Sequence, residues 1–520
     1  MSTQQLFMTR PGELRFRELW PLFLLPAILF LMNLGGAPLF DVDEGAFSEA
    51  TREMFVRHDF LSTWLNGAPR FDKPILIYWC QAVFVWLFGP NEWSFRLPSA
   101  LAASTWCFAA GHFAWQRFGR EAGLMACGIA ATSLGVHAIG RAATADALLN
   151  MLLALALLDS WRHLESGQRA PLLRSYLWIG LGVLTKGPVA LLVPGATTLL
   201  YCLSAGRFRD WLKSVFDPIG WLILLAITVP WYAAALSIHG QAFIDGFILK
   251  HNVQRFSGAL EGHSGSMFYY LLMIPALLLP WLAWLIASLR QVPSDLKDPL
   301  KRFLWLWFFF VTAFFSLSGT KLPHYALYGC TPLFVLLAIH RERVRSLTLG
   351  LLPMFLLLLV FVALPGLLQL SLAQGWVRNP FYLAQLARFP EAIPPGYYLI
   401  TCIGLIAAAI LCAYRVALAT KALGIASIAT LLLALAVAPL LGDLLQGPVK
   451  RAGLVAQAYA EPGVLWNFHA PSFSVYRQQV TPARQAQSGL IALSRIVRLP
   501  ADARVDILVR EGGEVLVRVH

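Results

Sequence analysis

Acidic residues gather in one short segment of this sequence, directly after its first long apolar run. The segment DVDEGAFSEATREM, residues 41–54, holds five of the 28 Asp and Glu residues, and Asp72 follows in the same polar stretch. A lone Asp-Glu pair at a helix start is explained by the favourable interaction of carboxylates with the helix dipole. Here Asp146 also begins an apolar segment, and ionisable residues at such positions are costly unless they are paired or functional. We therefore interpret Asp43, Glu44 and Asp146 as candidate catalytic carboxylates.

Cations lie in three further polar stretches that border apolar runs. Each cation alone would be explained by a long side chain reaching to lipid headgroups. Lys and Arg also bind phosphate, and Arg does so through two parallel hydrogen bonds. Three such stretches near one acidic segment therefore predict a phosphate site beside the carboxylates. The candidate residues are Lys73 in RFDKPILIYW, His251 and Arg255 in KHNVQRFSG, and Lys321, His324 and Tyr325 in TKLPHYALY.

Carboxylates and cations on one membrane face suit the transfer of a sugar from a lipid carrier. Outside the cytoplasm there is no supply of nucleotide sugars, so a sugar must arrive on a lipid. A polyprenyl phosphate leaving group is already anionic and needs charge stabilisation by fixed cations. A carboxylate can position or deprotonate the acceptor. The residue types favour this chemistry, and their spacing alone leaves it a hypothesis.

The composition is that of a membrane protein. The chain has 520 residues, a mean hydropathy of +0.63 and only 13% charged residues, against about 25% in soluble domains. Its net charge of +13 does not predict a nucleic-acid partner, because the basic residues form short clusters between apolar runs, as cytoplasmic loops do. The seven Cys lie in apolar contexts without metal-type spacing, and we expect no disulfide framework.

Apolar runs divide the chain into candidate membrane spans. A spanning helix needs about 20 apolar residues, and the first run, 19–40, is expected to remain as a signal anchor. The stretches between alternate runs are basic, which predicts a cytoplasmic N-terminus and, with an odd number of spans, a C-terminus outside. The further spans, which bring the predicted total to about thirteen, are 93–116, 121–139, 144–161, 175–186, 188–204, 217–237, 267–288, 303–317, 323–340, 346–370, 397–414 and 422–441.

Residues 41–92 form the largest predicted outside loop before the C-terminal region. Within this loop, residues 44–57 predict a helix whose apolar side includes Phe47 and Met54. Residues 75–88 are apolar but too short to span, and their Tyr and Trp residues favour a helix lying in the membrane interface.

The composition changes after about residue 441. We predict a transmembrane catalytic domain over 1–441 and a small α/β domain outside the membrane over 442–520. RVDILVREGGEVLVRVH alternates apolar and polar residues around Gly512-Gly513 and predicts a hairpin. The segment VLWNFHAPSFSVYRQ also has the composition of strands.

Several of these motifs resemble one known family. DVDEGAFSEATREM, RFDKPILIYW, RAATADALL, LGVLTKGP, HNVQRF and TKLPHY are similar to segments of the bacterial lipid A aminoarabinose (4-amino-4-deoxy-L-arabinose) transferases. Those enzymes are integral-membrane glycosyltransferases of the GT-C fold, related to the protein O-mannosyltransferases. The resemblance implies a polytopic helical protein with thirteen spans, interfacial helices in the first periplasmic loop and a periplasmic C-terminal domain.

The resemblance also implies roles for individual residues. Asp43 matches the essential acid of the family, which positions or activates the acceptor, and Asp146 matches a second acid of the same cavity. The residues that match the carrier-phosphate site and its neighbours are Lys73, Arg255 and Tyr325, with Glu44, Asp72 and His251 beside them. Asp72 stands where the aminoarabinose enzymes have Glu, and one more residue separates His251 from Arg255. The sugar therefore stays open, with a hexosamine or galacturonic acid as alternatives.

Two features of the predicted site stay undecided by the sequence. Asp43, Glu44 and Asp72 offer the oxygen ligands that divalent ions prefer, although cations already crowd the phosphate site, so we expect no required cofactor. Lys186, in LTKGP, either contacts the lipid phosphate or is structural, because Gly187-Pro188 breaks the helix there.

The residues and the resemblance together predict a glycosyltransferase of the bacterial inner membrane, and the resemblance implies that the transfer inverts the anomeric configuration. Its expected donor is a sugar on polyprenyl (undecaprenyl) phosphate, and its expected acceptor is lipid A or another envelope glycolipid at the periplasmic face. The alternatives are a protein O-glycosyltransferase of the same fold, a lipid or sugar transporter, and a non-catalytic envelope scaffold. Transporters often have paired halves with broken helices, and the polar residues here collect at one face instead.

Overall fold

Helices occupy most of the chain in the computed structural model, which describes residues 19–254, 265–500 and 503–520. Among the described residues, four helical stretches are long and apolar enough to cross a membrane: Pro218–His239, Pro299–Leu317, Leu347–Ala373 and Leu418–Ala456. A helix pair bent by 65°, Arg120–Thr132 and Leu134–Gly140, makes a fifth if it counts as one span. The larger total of about thirteen spans stays a prediction.

The other described helices follow the predicted apolar runs and the loops between them. Two long helices, Glu92–Phe118 and Asp146–Ser166, lie over the predicted spans 93–116 and 144–161. The remaining α-helices are Trp20–Leu31, Asp43–Arg57, Leu76–Phe88, Arg169–Lys186, Val189–Ser204, Phe208–Val215, Gln241–Phe243, Tyr269–Leu277, Leu282–Leu289, Val292–Asp295, Thr331–Ile339, Pro380–Ala387, Phe389–Ala392, Tyr397–Ala413 and Pro471–Arg477, and the stretch Leu418–Ala456 consists of Leu418–Leu432, the π-helix Leu433–Val437 and Ala438–Ala456. A second π-helix covers Ile244–Gln254, and 3₁₀ turns cover Pro323–Gly329, Arg341–Arg343 and Ile496–Arg498.

Three predicted spans are interrupted in the structure, so the prediction that each is one continuous helix is wrong. The run 121–139 breaks at Ser133, where the backbone is extended and the N–H of Leu134 donates to the carbonyl of Leu279 at 2.9 Å. The run 267–288 breaks before Pro280, which has no N–H to continue the helix. The run 323–340 begins as a 3₁₀ turn and becomes α-helical only at Thr331–Ile339.

The first apolar run is also shorter as a helix than as a sequence pattern. Its helix, Trp20–Leu31, ends well before residue 40. The Arg141 guanidinium donates hydrogen bonds of 2.8–2.9 Å to the carbonyls of Phe30, Met32 and Asn33. Because the last carbonyls of a helix have no partner within it, this arginine satisfies the end of the helix and lets the chain turn.

Buried tryptophans cross-link neighbouring helices in the core. The indole N–H of Trp106 donates to Thr331 Oγ1 at 2.8 Å, and that of Trp281 donates to Thr132 Oγ1 at 2.9 Å. Both indoles are fully buried, so an unpaired N–H at either position would be costly. These bonds fix which helices are neighbours in a core that is otherwise apolar and non-directional.

A buried polar network fastens the helices of the loop 41–92 to the helix Glu92–Phe118. Gln81, on the helix Leu76–Phe88, accepts from Thr51 Oγ1 at 2.7 Å and donates to the carbonyl of Phe95 at 3.0 Å. Thr51 lies on the helix Asp43–Arg57, so one buried amide joins three helices. A two-stranded hairpin, Trp64–Leu65 with Ala68–Pro69, connects the two loop helices. The predicted helices over 44–57 and 75–88 are confirmed.

A four-stranded sheet forms the end of the chain. Its strands lie in the order Gly463–Leu465, Ile491–Arg495, Glu514–Val519 and Val505–Glu511, with the first pair parallel and the others antiparallel. The predicted hairpin around Gly512-Gly513 is confirmed, since Glu511 and Glu514 pair across that turn. We call this sheet together with the helix Pro471–Arg477 the C-terminal unit.

The structure corrects the prediction that the segment VLWNFHAPSFSVYRQ is rich in strands. Only Gly463–Leu465 is a strand, and Pro471–Arg477 is a helix that crosses between the two parallel strands. A parallel pair requires such a crossover, and Pro471 suits the first turn of a helix because its missing N–H has no partner there anyway. The helix Ala438–Ala456 runs through the predicted boundary at 441/442 and packs on Pro471–Arg477, and the domain division itself stays a prediction.

Candidate active site

Two cavities meet beside the first loop. The first, of about 590 Å³, is walled by cations and aromatic rings, and we call it the cationic cavity. Its walls come from the loop 41–92, from the ends of three helices and from the C-terminal unit. The residues that line it are Val42, Asp43, Ala46, Phe47, Leu65, Arg70, Asp72, Lys73, Thr144, Ala145, Asp146, Lys186, Leu322, His324, Tyr325 and His469.

The second cavity, of about 490 Å³, is lined by apolar and polar residues in nearly equal number, and we call it the apolar cavity because most of its exposed surface is apolar. Its walls include Leu134 and Ile139 from the bent helix pair and Ala434 from the last long helix, together with Arg96, Arg141 and residues of the segment 33–44. Its polar members include His137, whose buried ring nitrogens have no hydrogen-bond partner among the described residues.

Four residues line both cavities: Asp43, Thr144, Asp146 and His324. The two predicted acids therefore lie on the boundary between a charged chamber and an apolar chamber. A group bound in either cavity reaches the same carboxylates, which is the arrangement that a transfer between two bound molecules requires.

Asp43 is the first residue of the helix Asp43–Arg57, and its side chain is exposed to the cavities. It makes no hydrogen bond or ion pair with another residue in the part of the chain that the structure describes. An accessible carboxylate without a protein partner has lone pairs to offer to a bound hydroxyl group.

Glu44 is held quite differently from its neighbour. Its carboxylate forms a buried ion pair with Arg96, whose Nε and Nη2 donate at 2.8 and 2.7 Å. It also accepts from the backbone N–H groups of Ala143 at 2.7 Å and Phe40 at 2.9 Å. With four donors on its two oxygens, Glu44 ties the start of the loop helix to the helix Glu92–Phe118. The prediction that it takes part in chemistry is untested, and the geometry favours a positioning role.

Asp146 lies at the start of the helix Asp146–Ser166 and is paired with a lysine. Its Oδ1 accepts a hydrogen bond from Lys186 Nζ, and the same ammonium donates to the Tyr328 hydroxyl at 2.8 Å. His324 Nε2 lies 3.5 Å from the same Oδ1 atom. The Lys186 Nζ is also 5.3 Å from the centre of the Tyr325 ring, within the range of cation–π attraction. Lys186, which the sequence left open, is therefore part of this cavity.

The loop before the helix Leu76–Phe88 supplies two more cations. Lys73 lines the cationic cavity and donates to the carbonyl of Asp72 at 3.0 Å. Arg70 is buried, lies 3.4 Å from the Asp72 carboxylate and covers the Phe47 ring. The Nε and Nη1 atoms of Arg70 have no hydrogen-bond partner among the described residues. Such an arginine can still donate to an anion bound in the cavity.

The remaining predicted site residues have different outcomes. Tyr325 is buried and lines the cationic cavity beside His324. Arg255 lies outside the described residues, as does the side chain of His251. Lys321 is buried and donates to the carbonyl of Ser318 at 2.7 Å, so its ammonium is held by the backbone of its own loop.

The predicted metal ligands do not form an obvious coordination site. Within residues 19–254, 265–500 and 503–520 there is no group of three His, Cys, Asp or Glu side chains arranged to hold an ion. Glu44 already accepts four hydrogen bonds, and Asp72 lies beside Arg70. Of the three candidates, only Asp43 has uncommitted oxygen atoms.

Sequence reasoning missed the contribution of the C-terminal unit. His469 lines the cationic cavity, although it follows Asp43 by more than 400 residues. Ser472 donates to Asp41 from its backbone N–H at 3.0 Å and also from its hydroxyl group. The FHAPS segment has no local pattern that marks it as part of a site, so only the fold could reveal it.

Burial raises the pKa of Asp41 to about 7 from its ordinary value of 3.8, although Ser472 donates to it and opposes that rise. An acid with a higher pKa in the folded chain weakens the fold once the unfolded carboxyl ionises. We expect the melting temperature to fall between pH 5 and pH 8, and to fall less in the Asp41→Asn variant. Thermal unfolding in detergent at both pH values measures this difference, and parallel pH dependence in the two proteins would contradict it.

Gly45 lies where the loop helix touches the C-terminal unit. A methyl group there would come within 2.6 Å of the Ser472 backbone nitrogen and 2.1 Å of Asp41 Oδ1. Gly→Ala in an open helix stabilises by about 1 kcal/mol, but overpacking costs about 1–3 kcal/mol. We therefore expect Gly45→Ala to lower the melting temperature. Gly195→Ala is the matched control, because nothing lies within 4 Å of its added methyl group, and equal stabilisation by both changes would disprove the contact.

Comparison with known proteins relates the chain to glycosyltransferases. The family model of the dolichyl-phosphate-mannose-protein mannosyltransferases matches residues 72–233. The undecaprenyl phosphate-α-4-amino-4-deoxy-L-arabinose arabinosyl transferase of Serratia proteamaculans is 29% identical over 372 residues, which cover 67% of this chain and 66% of the relative. The enzyme of the same name from Pseudomonas paraeruginosa is 31% identical over 365 residues, which cover 67% and 65%. The chain is a homologue of the aminoarabinosyl transferases.

The solved structures agree with this relationship at the level of the fold. ArnT from Cupriavidus metallidurans bound to undecaprenyl phosphate superposes with a TM-score of 0.78 at 20% identity and covers 95% of this chain and 96% of that one. An oligosaccharyltransferase from Archaeoglobus fulgidus superposes with a TM-score of 0.50 at 11% identity, covering 90% and 64%. This aminoarabinosyl transferase homologue therefore has a helical GT-C fold like that of ArnT. Its matched region spans 60–66% of the length of the first curated relatives.

Proposed function

We propose that the protein transfers a sugar from a polyprenyl phosphate carrier to a lipid acceptor at the periplasmic face of the inner membrane. The observation that carries this proposal is the position of Asp43 and Asp146 on the boundary between the cationic and apolar cavities. The names of the relatives support the donor class, since they are transferases of a sugar carried on undecaprenyl phosphate. With thirteen spans and a cytoplasmic N-terminus, the loop 41–92 and the region 442–520 would both lie in the periplasm.

The donor phosphate fits the cationic cavity. Arg70, Lys73 and Lys186 line it, and two nitrogens of Arg70 have no hydrogen-bond partner among the described residues. When the bond between the sugar and the phosphate breaks, the electron pair stays on the phosphate oxygen. Fixed cations at that position stabilise the leaving group without a proton donor. In this proposal Tyr325 orients the phosphate and Asp146 holds Lys186 in place.

The acceptor fits the apolar cavity. Its walls of Leu, Ile and Ala suit the hydrocarbon part of a glycolipid, and His137 offers a polar contact to its headgroup. Asp43 would accept the proton of the acceptor hydroxyl as that oxygen attacks the anomeric carbon of the sugar. One C–O bond forms as another breaks, which inverts the anomeric configuration. Lipid A is the acceptor that we propose first, and aminoarabinose is the first sugar to test.

A protein acceptor is the second candidate. The match to the protein mannosyltransferase family model over residues 72–233 supports it. The apolar residues of the second cavity, such as Leu134 and Ile139, favour the acyl chains of a lipid instead. Neither proposed reaction uses a metal ion.

Mass spectrometry of reconstituted reactions tests the proposal. The purified full-length protein is incubated in vesicles with undecaprenyl phosphate-aminoarabinose and lipid A, and separately with envelope proteins. We expect the mass of one sugar to be added to lipid A by the wild type and not by Asp43→Asn. Addition to protein only would support the second candidate. If the wild type transfers no sugar from undecaprenyl phosphate bearing aminoarabinose, galacturonic acid or a hexosamine, the proposed function is disproved.

A further inference from the structure

Among the described residues, the C-terminal unit contributes one imidazole to the wall of the cationic cavity. His469 lies in the loop between the strand Gly463–Leu465 and the helix Pro471–Arg477, and its side chain is exposed in the cavity. Among the described residues, His469 is the one through which the C-terminal unit joins the cavity lining. The other described residues of that lining all precede residue 326. A bound molecule that fills the cavity therefore meets groups from both parts of the chain.

The segment that carries His469 is fastened on both sides. Ser472 donates two hydrogen bonds to Asp41, and Ser474 Oγ lies 2.9 Å from Asn66 Oδ1. The Tyr476 hydroxyl accepts from the backbone N–H of Leu39 at 2.7 Å and donates to Glu92 at 3.1 Å. The imidazole is thus carried on a backbone that is already ordered, so ligand binding costs less conformational entropy there.

His469 and the cations of the cavity are carried by different elements of the fold. Ser472, three residues after His469, donates to Asp41, which lies two residues before the start of the helix Asp43–Arg57. The segment that carries His469 is thereby fastened beside the start of the helix that begins at Asp43. Lys73 and Lys186 come from other elements and supply the charge that a phosphate needs. The group of the donor that must reach Asp43 and the acceptor is the sugar.

We propose that His469 contacts the sugar of the lipid-linked donor and contributes to the choice of that sugar, which rests on the proposed function above. A neutral imidazole has one donor and one acceptor nitrogen, so it can pair with a sugar hydroxyl or amino group. A site that hydrogen-bonds such a group discriminates strongly against a ligand that lacks it. The C-terminal unit would then act as part of the sugar site.

The test compares carriers with and without a sugar on the full-length protein in detergent. Affinities are measured for undecaprenyl phosphate and for the same carrier bearing aminoarabinose, galacturonic acid or N-acetylglucosamine, and the sugar that the wild type binds most tightly is used. We expect His469→Ala to weaken the sugar-bearing carrier about tenfold, as a lost hydrogen bond does. Undecaprenyl phosphate should bind the variant within a factor of two, which also reports intact folding.

Two further variants sharpen this comparison. His469→Gln keeps a donor and an acceptor and should retain most of the affinity for the sugar-bearing carrier. His520→Ala, which removes an exposed imidazole elsewhere in the C-terminal unit, should change neither affinity. No change in His469→Ala, or equal losses for both carriers, would overturn the inference. A wild type that binds no carrier would instead disprove the proposed function.

Discussion

Replacing Asp43 by Asn is expected to reduce kcat by two to four orders of magnitude, the usual contribution of general acid–base catalysis. The amide keeps the size of the side chain but cannot take the proton of the acceptor. Asp43 has no ion pair or hydrogen bond among the described residues, so its loss should leave the fold intact. The affinity for undecaprenyl phosphate should therefore change by less than about threefold, because the cations that we propose to hold the phosphate remain.

Steady-state kinetics with the preferred donor, together with carrier binding, measures both quantities. Asp59→Asn is the matched control, since Asp59 lies in the same loop and accepts from the backbone N–H groups of its own turn, at Leu61 and Ser62. An Asn oxygen can accept those two bonds as well. Normal turnover by Asp43→Asn would assign proton transfer to another group and would remove Asp43 from the mechanism.

Replacing Lys186 by Ala is expected to impair both stability and activity. The ammonium pairs with Asp146 where the two side chains are only 10% and 12% exposed. Removing one partner of a buried pair costs about 3–5 kcal/mol, because the other charge stays buried. His324 remains near Asp146, so we expect a loss near the lower end, together with weaker binding of undecaprenyl phosphate.

The double variant Lys186→Met/Asp146→Asn separates the two effects. With both charges removed, the melting temperature should recover most of its loss, whereas carrier binding and turnover should not. Lys213→Ala, at an exposed position on the helix Phe208–Val215, serves as the control and should change neither property. Recovery of activity in the double variant would show that Lys186 is purely structural, which is the alternative that the sequence left open.

The parts of the fold that could be predicted are those with a local signal. The helix Asp43–Arg57 and the hairpin at Gly512-Gly513 follow from periodicity and turn residues within about 15 positions. The breaks at Ser133 and before Pro280 were not predicted, because each lies within an apolar run that was predicted as one span. The hydrogen bond from the N–H of Leu134 to the carbonyl of Leu279 joins the two breaks. Such a bond links residues nearly 150 positions apart and has no signature in either segment.

The candidate site likewise contains residues that the sequence predicted and one, His469, that it did not. Asp43, Lys73, Asp146 and Tyr325 were predicted from residue type and placement, and they line one cavity. Glu44 and Asp43 are neighbours of the same type in the sequence, yet four donors engage Glu44 and none among the described residues engages Asp43. His469 was missed because its segment has the composition of a strand and is held at the cavity by long-range contacts, such as that of Ser472 with Asp41.

The common boundary of the two cavities has an evolutionary consequence. Apart from Asp43, Thr144, Asp146 and His324, the two linings consist of different residues, which come largely from different segments of the chain. Substitutions that adapt one chamber to a new ligand would therefore leave the other chamber unchanged. Descendants of one ancestor could exchange their donor while keeping their acceptor, or the reverse, without rebuilding the residues between the chambers. Chimaeras that combine the chamber linings of two relatives would be expected to inherit donor choice from one parent and acceptor choice from the other.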